Sequence, residues 1–330
     1  MLEDANRTGA ARAQPQRLGM GRRSFIALSG AALLAGCREE PGRVFAYPRS
    51  AAAYPPIGRI RRVNGLNVHA TDTGKGGPPV VLIHGASANL RDWSYSLIRP
   101  LSARRRVIAM DRPGLGYSER GDGDWSPMRQ AAQMRDAVRA MGVRRPILVG
   151  HSFGAAVALA WAQQAPGDVR GVVAVAGATM PFGAGVRILS SIGIGRAGVE
   201  HYTERLASRI KRGEIGSFMD RIFAPLPPPR RYVRYVGVPL AATPEALRAT
   251  RQDLGGLSAY LSDLAKGYVG LRTPVEILHG EADRLCDVDR HARGLARALP
   301  QARLTLFPKV GHMAHHARPG ALEAAIRRLS

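Results

Sequence analysis

Gly150-His151-Ser152-Phe153-Gly154 holds a serine between two glycines, at the junction of two runs with opposite local preferences. Pro146 to Val149 is apolar and β-prone and reads as a buried strand. Ala155 to Trp161 is rich in Ala and Leu and reads as a helix. A serine on such a strand-to-helix turn is exposed for nucleophilic attack, and the glycines let the two backbones approach closely around it. The helix start leaves unpaired N–H groups beside Ser152, suited to developing negative charge. A second strand, Val80 to Ile83, runs into His84-Gly85-Ala86-Ser87, so the N–H groups of Ala86 and Phe153 could together form an oxyanion hole. Serine chemistry also needs a base and a group to orient it. Asp283 follows the strand Val275 to Leu278, and His312 follows the strand Ala302 to Phe307, each just past a strand end.

Each of these residues has competitors. Ser152 could be an ordinary helix N-cap. Asp287 and Asp289 lie near Asp283 but suit the start of a helix near Val288, and His315 and His316 read as surface or loop neighbours of His312. His84, His151 and His279 read as backbone supports, and Cys286 as a small buried apolar residue. No metal-ligand spacing occurs in the chain.

The elements that must position these groups follow from periodicity. Strands are expected near 59–63, 67–72, 80–83, 107–110, 146–150, 171–176, 275–279 and 303–307, with helices near 126–141, 153–165, 288–298 and 320–329. That alternation predicts a mostly parallel sheet covered on both faces, with the first two strands forming an antiparallel edge. From 183 to 270 the alternation stops. Helix-like stretches at Val199 to Arg212, Glu245 to Leu254 and Leu257 to Lys266 are separated by the proline run Pro225 to Pro229.

From about Val63 onward the chain resembles the α/β-hydrolase superfamily, in its capped branch with a serine nucleophile. The markers, in order, are Asn67-Val68-His69, His84-Gly85, Asp111-Arg112-Pro113-Gly114-Leu115-Gly116-Tyr117-Ser118, the Ser152 turn, His279-Gly280-Glu281-Ala282-Asp283 and Gly311-His312. One departure is Ala317, where relatives often carry Glu. The resemblance implies an α/β-hydrolase fold: an eight-stranded, mostly parallel sheet with helices on both faces and a helical cap inserted after strand 6. It divides the chain into a core at 59–182 and 271–330 and a cap at 183–270. It implies a Ser152-His312-Asp283 triad cleaving a carboxylic ester or lactone through an acyl-enzyme, without a cofactor or metal. Trp93, Tyr117 and Met180 are candidates to line the substrate pocket. The same triad would serve a C–C bond hydrolase or a cofactor-free haloperoxidase or perhydrolase, and some relatives of the fold are receptor-like binding modules.

The N-terminus carries a separate signal. Arg22-Arg23-Ser24-Phe25-Ile26 precedes an apolar, small-residue stretch that ends at Leu34-Ala35-Gly36-Cys37. This reads as a twin-arginine-type signal over 1–36, with Gly21 replacing the usual Ser or Thr, and Met20 offers a second start. Cys37 then becomes the lipidated first residue of an exported, membrane-anchored bacterial lipoprotein, and 37–58 its tether. The formal net charge is +23, but only Lys75, Lys211, Lys266 and Lys309 among the 48 basic residues are lysines, and the arginines are scattered. No nucleic-acid-binding motif accompanies them, so the expected partners are a small ester-like molecule and a membrane, not a nucleic acid.

Overall fold

The computed structural model describes residues 49–123, 125–182 and 196–330, with the side chains of the first cap helix described from Glu204 onward. The expected export signal, the segment around Cys37 and the start of the expected cap at 183–195 lie outside the described residues. No helix among the described residues is long and apolar enough to cross a membrane.

Eight strands form one sheet: β1 (Arg59–Val63), β2 (Leu66–Asp72), β3 (Gly77–Ile83), β4 (Arg105–Met110), β5 (Ile147–His151), β6 (Gly171–Val175), β7 (Val275–Gly280) and β8 (Arg303–Phe307). Their order is β1-β2-β4-β3-β5-β6-β7-β8. The β1–β2 and β2–β4 pairs are antiparallel and the rest parallel, as the sequence pattern predicts. Val80 to Ile83 and all of β5 and β6 are buried, because helices cover both faces. On the edge strand β1, Arg59, Arg61 and Arg62 flank Ile60, 47% exposed, and their charge discourages pairing with another strand.

The helices are α1 (Arg91–Ser94), α2 (Ile98–Ser102), α3 (Pro127–Ala140), α4 (Phe153–Gln164), α5 (Arg196–Arg212), α6 (Gly216–Phe223), α7 (Tyr232–Tyr235), α8 (Pro244–Gly255), α9 (Leu257–Lys266), α10 (Arg293–Ala298), α11 (Ala314–Ala317) and α12 (Pro319–Arg328). Residues 153–162 of α4 are all buried; their alanines let the helix lie close between the sheet and α3. Helices α3 and α8 start alike. Ser126 and Thr243 each precede a proline at the first helical position, and each accepts a hydrogen bond from an amide in the first turn. The stretch expected as one helix at 288–298 is instead a π-helical turn, Val288–Ala292, capped by Asp287, followed by α10.

Between β6 and β7 lie α5 to α9, which form the cap. The proline run ends α6 and separates it from α7, since proline cannot supply helical N–H groups. Leu206, Ile210, Ile215, Met219 and Phe223 form a separate apolar cluster there with Met313 of the core. The expected tether requires correction at its end, because residues from about Ser50 are docked. Tyr54 is buried, Arg91 Nη2 donates to the Pro55 carbonyl at 2.6 Å, and Gly58 N–H donates to His69 Nε2 at 3.0 Å. An aromatic ring that finds a pocket and a guanidinium that grips the backbone outweigh the low local preference of this segment for order.

Backbone proximity makes the glycines around β5 irreplaceable. A Cβ on Gly154 would overlap the Ile83 carbonyl oxygen and lie 2.7 Å from the His84 carbonyl oxygen, both backbone atoms that cannot step aside. Gly154→Ala should therefore lower unfolding free energy by about 2 kcal/mol or more. Gly167→Ala, where nothing lies within 4 Å, should change it by less than about 0.5 kcal/mol. Urea denaturation of both variants checks this; equal stabilities would refute the close approach.

Candidate active site

Ser152 sits at φ 53° and ψ −118°, a conformation an L-residue adopts only where surrounding structure imposes it. Three backbone bonds impose it: Ser152 N–H donates to Val175 O at 3.0 Å, and its carbonyl accepts the amides of Ala155 at 3.0 Å and Ala178 at 3.1 Å. The side chain then faces a cavity that His312, Cys286, Ala86 and Phe153 also line. The Cys286 thiol interacts directly with the Ser152 hydroxyl, and burial pushes its pKa well up, which keeps it a neutral neighbour.

Asp283 and His312 meet across the ends of β7 and β8. His312 Nδ1–H donates to Asp283 Oδ2 at 2.8 Å, which leaves the other ring nitrogen as the one able to exchange a proton. Asp283 Oδ1 accepts the amides of Leu285 at 2.8 Å and Cys286 at 3.0 Å. His279 Nε2, bonded to Cys286 O at 2.8 Å, lies 3.3 Å from Asp283 Oδ2. Burial alone would raise the Asp283 pKa, but His312 and His279 outweigh it and hold the carboxyl well below its usual range. The site thus pairs an ionised acid with an imidazole that lines the same cavity as the serine. Such an arrangement can draw a proton from a hydroxyl and stabilise the cation that results.

Ala86 and Phe153, the residues expected to supply oxyanion donors, both line the cavity. Phe153 is the first residue of α4, so its N–H has no partner within the helix. Gly85 packs against Ser152: a Cβ there would lie 3.1 Å from Ser152 Cβ. This brings the Gly85–Ala86 peptide up to the serine. His84 holds that turn, with Nδ1–H donating to Gly85 O at 2.8 Å and Nε2 accepting from Arg112 N–H at 2.9 Å. His151 donates from Nε2 to His312 O at 3.1 Å, so both histidines are the backbone supports the sequence suggests.

Other expectations are corrected. Trp93 is fully buried in the core and contacts His315, with ring centroids 4.8 Å apart. Tyr117 donates its hydroxyl to Tyr54 O, and Met180 borders a shallow pocket with Arg290 and Arg297. None of the three is among the described lining of the serine cavity, because each is held by neighbours on another side of its element. His315 and His316 are not surface residues: Nε2 of each donates to Asp92, at 3.0 and 2.7 Å, and Tyr232 O–H donates to the same carboxylate at 2.7 Å. No local pattern joins Asp92 to a histidine more than two hundred residues away. The Arg112–Asp253 ion pair was missed for the same reason, although Arg112 lies inside a motif already singled out.

Three potential metal donors converge twice among the described residues, at Asp92/His151/His315 and at Asp283/Cys286/His312. In the first set, Asp92 and His315 bond each other and His151 bonds His312 O; in the second, Asp283 and His312 bond each other. Protein hydrogen bonds therefore already engage both sets.

Four buried imidazoles are held neutral. Burial, with Arg112 nearby, lowers His84 to about 4; burial lowers His315 to about 4 and His291 to about 3, and pushes His151 well below its usual value. Unfolded histidine titrates near about 6.5, so unfolding takes up a proton at each of these residues below that pH. Their contribution to stability is complete above about pH 6.5 and is lost as pH falls toward the folded values. Urea unfolding between pH 7 and 4.5 should show stability falling with acidification, at a slope approaching four protons near pH 5. A flat profile across that window would contradict the neutral assignments.

Residues 78–319 match the family model of the alpha/beta hydrolase fold. An uncharacterised protein of Mycobacterium tuberculosis is 28% identical over 290 residues, covering 83% of this chain and 81% of its own length. The 2-hydroxy-6-oxo-2,4-heptadienoate hydrolase of Pseudomonas putida is 28% identical over 273 residues, covering 78% of this chain and 90% of its own. Among solved structures, the enol-lactonase of Burkholderia xenovorans superposes with a TM-score of 0.67 at 19% identity, over 82% of this chain and 99% of that one. With most of its length matched, from the sheet through the loop of His312, the chain belongs to the α/β-hydrolase family.

Proposed function

We propose that this hydrolase cleaves a carboxylic ester or lactone with an apolar acyl part, using Ser152, His312 and Asp283 as its triad. The observation that carries the reading is that His312, bonded to the ionised Asp283, lines the same apolar cavity as the strained Ser152. Ser152 Oγ attacks the carbonyl carbon as His312 takes its proton. The Ala86 and Phe153 amides meet the oxyanion, each worth about 3 kcal/mol of barrier. His312 returns the proton to the leaving oxygen, and water, deprotonated by the same ring, releases the acid and restores the serine.

The cavity wall selects among substrates. The cap contributes Leu206, Ile210, Phe218, Met219, Leu254 and Leu257 to it. Among the described residues no Lys or Arg lines it, despite the net charge of +23. Among the described residues Asp92 is the one carboxylate that lines it; burial acts to raise its pKa, but its histidine partners outweigh that and hold it well below the usual carboxylate range. A dienoate such as the one in the name of the Pseudomonas putida relative carries a carboxylate, which would meet no cation in this wall. That favours a neutral ester or lactone over the C–C bond substrates.

Two measurements test this. p-Nitrophenyl hexanoate should be hydrolysed with a kcat/KM at least about tenfold above that of the p-nitrophenyl monoester of adipic acid, and Ser152→Ala should lose about 10⁴-fold or more with its fold intact. Preference for the adipate, or retained turnover in the variant, would overturn the reading.

We also propose that the enzyme is exported and anchored through a lipid on Cys37, on the strength of the paired arginines, the apolar stretch and the Leu34-Ala35-Gly36-Cys37 box. In a bacterial host, Cys37→Ala should remain at precursor mass and leave the detergent-rich phase in a phase-partition assay. A variant that still carries acyl chains would refute the anchor.

A further inference from the structure

Arg112 is a cation with no exposed surface, placed behind the loop that carries the Ala86 amide. Its Nε donates to His84 O at 3.0 Å and its Nη2 to Gly85 O at 3.1 Å. Its Nη1 donates to Gln130 Oε1 and to Asp253 Oδ2, both at 2.7 Å, and the guanidinium carbon lies 4.4 Å from the centre of the Phe153 ring. The Gly85 carbonyl and the Ala86 N–H are the two ends of one peptide group. That carbonyl accepts from Arg112 and from His84 Nδ1 together. Two donors on one oxygen, one of them charged, fix the peptide plane and draw electron density toward the oxygen, which makes the N–H at the other end a stronger donor. The same guanidinium covers the side chain of Phe153, whose amide is the second oxyanion donor. One cation therefore braces both halves of the hole.

The anion that holds this cation belongs to the cap. Asp253 in α8 is fully buried and accepts from Arg112, from Arg120 Nη2 at 2.7 Å and from Gln130 Nε2 at 2.9 Å. The next residue, Leu254, lines the cavity, whereas neither Arg112 nor Asp253 does. Resting on the ester-cleaving reading above, we propose that Arg112 and Asp253 are positioning residues: a latch through which cap helix α8 sets the orientation of the Gly85–Ala86 peptide, and so the stabilisation of the oxyanion. A pair that merely held the fold together would have no need to end on the carbonyl of that particular peptide.

The test uses the full chain with Asp253→Asn, which keeps shape and one acceptor oxygen, and Arg112→Lys, which keeps charge but cannot span both carbonyls and the Phe153 ring. In each, kcat should fall about tenfold to a hundredfold, a fraction of what deleting a donor costs, with KM within about twofold. Affinity for a trifluoromethyl ketone, which Ser152 would convert to a tetrahedral oxyanion, should fall with kcat, while affinity for the matching secondary alcohol should not. Amide hydrogen exchange over residues 84–88 should accelerate. Unchanged kcat in either folded variant, or a loss confined to KM, overturns the latch. Should Asp253→Asn fail to fold, Arg112→Lys decides. Should wild type turn over no ester at all, the functional reading has failed, and exchange at 84–88 alone decides whether the cap holds this loop.

Discussion

Backbone crowding at one point, where β3, β5 and α4 converge, is the constraint on which the rest of this structure depends. A Cβ at Gly150 would overlap the Gly154 carbonyl oxygen, and one at Gly154 would overlap that of Ile83, so the strand, the turn and the helix touch main chain to main chain. Only with that spacing can Ser152 be forced to φ 53°, and only then do the start of α4 and the Gly85–Ala86 peptide flank the same side chain. Such strain costs about 1–3 kcal/mol and persists only where surrounding bonds fix it. Here three backbone hydrogen bonds to Ser152 and the burial of α4 over residues 153–162 supply that restraint. A looser packing of this corner would relax the serine into an ordinary helix cap.

Around that corner the protein buries three carboxylates, and hydrogen bonds anchor each of them. Asp283, Asp92 and Asp253 each accept several donors; Asp92 of the core accepts from Tyr232 of the cap as well as from His315, and Asp253 of the cap accepts from Arg112 and Gln130 of the core. Burying a charge is costly unless partners and hydrogen bonds replace water, so these clusters fix where the cap can sit. They also set charge. Among the described residues no lysine or arginine lines the cavity, and His151, held neutral in its wall, adds no positive charge, leaving a surface that suits an apolar acyl group.

The organisation of the core was legible in the sequence because local pattern and global fold agree there. The β5 run followed by the alanine-rich α4 reads unambiguously, since a fully buried strand and a helix wedged against a sheet each leave a strong compositional trace. The positions of Asp283 and His312 were legible for a related reason: each follows a strand, and the ends of neighbouring parallel strands lie side by side. The N-cap bonds of Ser126 and Thr243 and the helix-breaking proline run likewise act within a few residues of themselves.

What the chain alone could determine was therefore the chemistry that rests on local order: the serine turn, the acid and histidine past their strands, the mostly parallel sheet and the helical interruption before β7. Tertiary structure decided what depends on contacts between distant segments. It took His315 and His316 from the surface to Asp92, turned Trp93, Tyr117 and Met180 away from the cavity, docked the segment around Tyr54, and joined Arg112 to Asp253 across 141 residues. Side-chain periodicity reports which face of an element is apolar, but a buried ion pair or a pocket wall is chosen by which elements meet. That is set by the packing of the whole chain.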